Sequence, residues 1–300
     1  MEDVETLLIA VYVAVDEVYQ ARLAPLRRGQ PGRPPAFADS EVLTVTLAQQ
    51  LLGIDSERAW LALLRRNWGA LFPHLPSAHE FNRRTRHLMG AVRQVWQAWA
   101  GALTAPTDRY RVVDTTALPV VHFQRAHIAR VFRGLAAYGR RGARHETYYG
   151  FKLALLTTLA GVPLEVDLVP ANVHDLLAGE AVLAGQRDLV TVGDKAFLSA
   201  PWRQTLAETQ GVVVLTPRQR TQRVQLPRAV SRFLSRVRQT VEIALSHFKD
   251  QLFLERHRAR TLWGLCTRLY AKLAAFCLGV RLALERGLPP FGLKQLVFDS

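Results

Sequence analysis

The 300-residue sequence predicts an α/β fold: a mixed five-stranded sheet flanked by helices and preceded by an all-α N-terminal region. Three observations predict it. Up to about residue 105, apolar residues recur at helical spacing between start and stop signals. From residue 109, short β-branched runs alternate with helical segments. Their order is strand, hairpin, helix, strand, helix, strand, helix, so the three opening strands pair antiparallel while the later ones need helical crossovers and run parallel.

The elements follow in order. LLIAVYVAVDEVY has helix-compatible apolar spacing, and RRGQPGRPPA after it is a Gly/Pro/Arg linker that no helix continues through. FADSEVLTVTLAQQLLG offers Asp39 or Ser40 as a cap and Gly53 as a stop, and DSERAWLALLRRNW gives a short third helix. Ser77 to Glu80 (SAHE) has the form of a capping box ahead of FNRRTRHLMGAVRQVWQAWAGAL, expected as one fourth helix. TAPTD marks a composition change, which divides the chain into a helical region over 1–105 and a second domain over 106–290 that includes the C-terminal helices.

In the second domain RYRVVDTT reads as a strand, and FKLALLTTL and VPLEVDLVPA as a hairpin about Ala160-Gly161. HDLLAGEAVLAGQ is helical, DLVTVGDK a fourth strand, SAPWRQTLAETQ a helix and GVVVLTP a fifth strand. A long helix is expected from residue 228 to about 257, then a final apolar one, TLWGLCTRLYAKLAAFCLGVRLAL, with Cys266 and Cys277 as core thiols about three turns apart on one face.

Charge narrows the function. A formal net charge of +14, from 39 Lys and Arg against 25 Asp and Glu, concentrates polyanions around the protein and points to nucleic acid. The longest stretch free of charge, Gln94 to Thr107, is shorter than the roughly 20 apolar residues of a spanning helix. The N-terminus opens with acids where a secretion signal carries positive charge, so the expectation is a cytoplasmic, nucleoid-associated protein with no membrane partner.

Three acids stand at the ends of elements. Asp114 and Asp194 close two of the expected strands, where an open α/β sheet has its ligand crevice. Glu242 is the single carboxylate in a stretch, Gln210 to Lys249, that carries eight positive charges. Three converging carboxylates repel one another, and hard divalent cations, Mg²⁺ or Mn²⁺, relieve that repulsion. Two such ions about 3.5 to 4 Å apart assist an in-line phosphoryl displacement. The competing reading is an ordinary i,i+4 ion pair between Arg238 and Glu242 on a solvated helix face.

With those residues in view, the chain resembles the DDE-type transposases of bacterial insertion sequences, a ribonuclease-H-like family. The matching pieces are VVDTT, GFKLALLTTLAG, VPANVHD, VGDKAF and R-x3-E-x6-K, in family order over roughly residues 109–280. The resemblance implies that Asp114, Asp194 and Glu242 are catalytic and hold two Mg²⁺ or Mn²⁺ ions per active site. It implies that Arg238 and Lys249 contact DNA phosphates. It implies hydrolysis at the element ends, then attack of the freed 3′-hydroxyl on target DNA, with double-stranded DNA (terminal inverted repeats and target) as partner and a homodimer as the working unit. Ser235 stands where the family signature has Tyr, and Ala196-Phe197 follow GDK where Gly-Tyr is frequent.

Further candidates for DNA contact are Lys152 and Lys195, conspicuous among only five lysines, and Asn172 and His174 in PANVHD. A salt bridge is the alternative for Lys152, and a helix cap the structural role for Asp175. His122, His127 and His145 lack a zinc spacing and lie in an Arg-rich segment, HFQRAHIARVFRGLAAYGRRGARHET, expected as a loop that orders on DNA. Arg83, Arg84 and Arg86 suit either a groove-entering helix or a solvated face, leaving the helical region as a DNA-binding and dimerisation candidate. Two rival functions stay open: a metal-dependent nuclease without strand transfer, and an inactive DNA-binding protein derived from a transposase.

Overall fold

Alternating apolar residues between 110 and 215 build one mixed sheet of six strands in the computed structural model, which describes residues 2–27, 35–142, 146–217, 226–292 and 295–298. The strands are β1 (Tyr110–Val121), β2 (Ala137–Arg141), β3 (Glu146–Thr158), β4 (Pro163–Pro170), β5 (Val190–Val192) and β6 (Val213–Leu215). β3 lies antiparallel to β1 from Arg111↔Thr158 to Val121↔Tyr149. Its other edge is shared, with β2 along Glu146 to Gly150 and β4 from Phe151 onward, both antiparallel. β5 runs parallel to β1 and β6 parallel to β5. The pairing is antiparallel first and parallel afterwards, the order that the sequence predicts.

The sheet has one strand more than expected. β2 falls in the Arg-rich segment read as a loop, and β1 runs on to Val121 instead of stopping at its acid. The cause is β3, which starts five residues ahead of Phe151 and offers an edge for Ala137–Arg141 to pair with. The excursion between β1 and β2 is pinned by buried Ala126 and by Phe132, packed edge-on against Phe151 at 5.4 Å.

One face of the sheet is covered by α7 (Asp175–Leu183) and α8 (Ala200–Gln210). Val113, Ala154 and Leu156 from the strands meet Ala178, Val182, Leu183 and Leu206 from these helices in a closed apolar cluster. Burial of that kind is the main favourable contribution to the unit, about 1.5–3 kcal/mol per large aliphatic side chain.

The chain divides into two compact units, one of residues 104–246 and one of residues 1–103 with 247–300. The second is helical: α1 (Glu2–Val18), a π turn over Tyr19–Leu23, α2 (Ala24–Arg27), α3 (Asp39–Leu51), α4 (Glu57–Asn67), α5 (Ala78–His87), α6 (Met89–Ala102), α10 (Leu262–Glu285) and α11 (Gln295–Phe298). α9 (Arg228–Asp250) is assigned to the sheet unit through Ser246 and to the helical unit from His247. The C-terminal helices therefore group with the N-terminal ones, and not with the sheet as the 106–290 boundary had them. Tertiary pairing decides this: Tyr270 stacks on Trp96, and the Lys272 ammonium donates to Gln50 Oε1 at 2.8 Å and to the Leu252 carbonyl. Trp60, Trp96 and Trp99 are buried in the same unit.

Local details also differ. The expected fourth helix is two, broken at buried Leu88, whose ψ of 10° leaves the helical range. Its Ser77 cap holds, with Oγ accepting from Glu80 N–H. Ala38, not Asp39 or Ser40, caps α3, with the Glu41 carboxylate accepting its N–H. Asp39 is used instead by Arg84. Gly53 ends that segment with φ of 64°. α9 stops at Asp250, short of residue 257. Cys266 and Cys277 are free thiols on α10, the second fully buried. Linker residues 28–34, Arg218, Arg220, Arg223 and His145 lie outside the described residues. Among the described residues no helix is long and apolar enough to cross a membrane.

Candidate active site

Asp114 lies within β1, not at its end, yet it stands just past the stretch of β1 that pairs with β5. The last parallel pair is Val112↔Val192, and Asp114 and Asp194 each follow it by two residues. Side chains alternate along a strand, so both acids continue the face of Val112 and Val192, opposite Val113 and the α7/α8 cluster. Asp194 begins a 3-10 turn, Lys195–Phe197.

That turn is fixed from below. Phe197 is buried in the apolar cluster, where a Cβ on Gly179 or Gly193 would come within 2.3 or 2.9 Å of its ring. The two glycines let the aromatic ring seat between α7 and β5. Phe197 therefore anchors the Asp194 backbone and presents no group to the site, which explains why the chain tolerates Phe where a tyrosine is frequent.

Both aspartates are half committed. Asp114 Oδ1 accepts from Thr115 N–H at 2.8 Å and Asp194 Oδ1 accepts from Ala196 N–H at 2.7 Å. Among the described residues the second oxygen of each has no hydrogen-bond partner. Burial raises the Asp114 carboxyl to about 6; the Thr115 N–H opposes that shift, and nearby Asp194 adds to it.

α9 contributes the third acid. Asp114, Asp194, Arg238, Val241 and Glu242 line one small cleft. Glu242 is nevertheless 62% exposed and faces Arg238 across 3.5 Å, the ion pair that the helix spacing allowed. Among the described residues no group of three acids, histidines or cysteines is close enough to hold a metal ion. The expected convergence is thus partial: one cavity, without a coordination cluster. The donors suit a hard cation in kind, since all are carboxylates and each aspartate keeps one oxygen uncommitted.

The candidate DNA contacts separate into several groups. Lys195 and Asn172 are exposed. His174 is exposed and is the cap of α7, its Nδ1 accepting from Leu176 N–H at 3.2 Å, a role expected of Asp175. Lys152 is largely enclosed, its ammonium 2.7 Å from Asp175 Oδ1 and donating to the Val173 carbonyl, so the salt-bridge alternative describes it and it is not a free surface cation. Arg83 pairs with Glu80 on an exposed face. Arg84 is taken up by Asp39 and the Phe37 carbonyl, and Arg86 Nε donates to the Asn82 carbonyl. Lys249 is partly buried in the segment of α9 assigned to the helical unit. Reasoning from sequence missed Thr115 and the seat of Phe197. The TT after Asp114 and the glycines flanking hydrophobic runs were the available signals.

The family model described as Transposase DDE domain matches residues 104–262, more than half of the chain, and its span includes Asp114, Asp194, Arg238, Glu242 and Lys249. No curated protein matches the sequence. Similar solved structures include a Mos1 transposase paired-end complex with the left transposon end, 14% identical over 75% of this chain and 81% of that one, with a TM-score of 0.23. The Mos1 strand transfer complex is 14% identical over 81% of each chain, with a TM-score of 0.22. Scores that low carry no residue assignment.

Proposed function

The chain belongs to the transposases with a DDE domain, and on that premise we propose that it is an insertion-sequence transposase that cuts phosphodiesters at element ends and joins the freed 3′-hydroxyl to target DNA. The observation that carries the proposal is the shared cavity: acids from β1, the β5 turn and α9 line it together with Arg238.

Asp114, Asp194 and Glu242 are the residues that would hold two Mg²⁺ or Mn²⁺ ions. When bound, the ions supply Lewis acidity at the scissile phosphate and favour ionisation of the attacking hydroxyl. The chain's own groups do the rest. Backbone N–H groups of Thr115 and Ala196 fix one oxygen of each aspartate, which orients the other toward the cavity. Arg238 offsets part of the negative charge of the three acids and offers a planar donor to a phosphate oxygen. The exposed arginines Arg228, Arg232 and Arg236 line the N-terminal part of α9 and attract the DNA backbone by charge. Lys195, adjoining Asp194, adds a cation beside the cut strand. Holding two element ends at once requires two copies of the chain, so the working unit is a homodimer.

The Arg238–Glu242 pair favours one rival, a DNA-binding derivative without catalysis, because it leaves the third acid engaged outside a metal cluster. Incubation of the full-length protein with labelled element ends and target plasmid in Mn²⁺ tests all readings. Joined products support transposition, cuts without joining indicate a nuclease, and intact ends with retained binding indicate the inactive derivative.

A further inference from the structure

We propose that Thr115 and Asp175 are positioning residues for Asp114, a role that rests on the catalytic reading of that carboxylate. Thr115 is next to Asp114 in β1, and the two side chains leave opposite faces of the sheet. On the far face Thr115 Oγ1 donates to Asp175 Oδ1 at 2.8 Å. The same oxygen of Asp175 is 2.7 Å from the Lys152 ammonium, which also donates to the Val173 carbonyl at 2.7 Å. The Thr115 N–H, in turn, donates to Asp114 Oδ1.

The bonds form a continuous path from the first turn of α7 to the Asp114 carboxylate. β3 supplies Lys152, which stands opposite Ala117 in β1, so three elements fix the strand where Asp114 leaves it. Enclosure matters here. The Lys152 side chain is 14% exposed and that of Asp175 32%, so the charge-assisted bonds are shielded and hold one geometry. A free hydroxyl at Thr115 would let its χ1 rotate and would loosen the peptide whose N–H selects the Asp114 rotamer. Through that path the motifs around Lys152 and Asp175 act on catalysis without touching DNA.

The test combines amide hydrogen exchange at Thr115 in the metal-free full-length protein with cleavage kinetics on labelled element ends. Thr115→Val and Asp175→Ala are expected to speed exchange of that amide by about tenfold, the loss of one hydrogen bond's restraint. They are expected to lower kcat by about 10- to 100-fold, as loss of a partner that orients a ligating group does. KM for the DNA end should stay within about twofold, because neither residue contacts it. Thr115→Ser keeps the hydroxyl donor and should restore exchange and kcat, which a purely packing role of the threonine methyl would not allow. Should Asp175→Ala fail to fold with Lys152 left uncompensated, Thr115→Val carries the decision.

Wild-type exchange and turnover in Thr115→Val, with Asp114→Ala inactive, would overturn the positioning role and leave the catalytic reading intact. Cleavage by Asp114→Ala would overturn the catalytic reading itself and the positioning role with it, whatever the exchange rates.

Discussion

Asp114 and Asp194 are neighbours across two strands although eighty positions separate them in sequence: each stands two residues past the final in-register pair of β1 and β5. Burial makes the ionisation of Asp114 costly, the neighbouring Asp194 carboxylate adds to that cost, and the Asp114 proton is held to about pH 6.

Stability should therefore depend on pH through Asp114. Its folded-state value, about 6, lies above the ordinary 3.8, so the favourable contribution is complete below pH 3.8 and is lost as pH rises through 6. About two units correspond to at most about 3 kcal/mol. Asp114→Asn is expected to raise the midpoint of urea unfolding at pH 8 and to leave it unchanged at pH 3.5. An equal effect at both pH values would mean that packing, not charge, sets the difference.

Divalent ions should relieve the same cost. Mg²⁺ or Mn²⁺ that binds only the folded protein raises its stability by about 2.7 kcal/mol at 100 times Kd. Thermal melting at pH 8 is expected to shift upward with Mn²⁺ and to return with chelator, whereas Asp114→Ala/Asp194→Ala should show no shift. An identical shift in the double variant would place the ion elsewhere.

Arg84 should matter for folding and Arg83 should not. The Arg84 and Asp39 side chains are 13% and 9% exposed, while Arg83 and Glu80 lie at the surface. Arg84→Ala removes the cation paired with the enclosed Asp39 carboxylate, which also accepts from the Tyr19 hydroxyl, and should cost about 3 kcal/mol in urea unfolding. Arg83→Ala should change stability by no more than about 0.5 kcal/mol.

DNA binding should be steeply salt dependent. Each phosphate neutralised contributes about −0.9 to the slope of log K against log salt on duplex DNA. Arg232→Gln and Arg236→Gln are each expected to flatten that slope by about one, measured by fluorescence anisotropy. An unchanged slope would remove the exposed face of α9 from the interface.

The sheet was legible because β-branched runs mark strands wherever one face is buried, and the three acids because Asp114 and Asp194 each follow an apolar run and Glu242 is the single carboxylate in a basic stretch. What escaped the sequence depends on partners far along the chain. β2 is rich in Gly and Arg and pairs only because β3 extends past Phe151. Lys152 looked like a surface cation until α7 brought Asp175 against it. Helical periodicity runs on through Leu88, and only its backbone, with ψ of 10°, shows where α5 gives way to α6. Sequence order placed α10 beside the sheet domain, but Tyr270 and Lys272 find their partners on α6 and α3.

Glu242 is the acid on which the account depends most, since it is exposed and paired with Arg238. The decisive measurement is the single-turnover cleavage rate of Glu242→Gln on labelled element ends in Mn²⁺, with DNA affinity measured on the same protein. A fall of about 10³-fold or more, matching Asp114→Asn and with affinity retained, is the predicted result. Cleavage within about tenfold of wild type would contradict a site built from all three carboxylates.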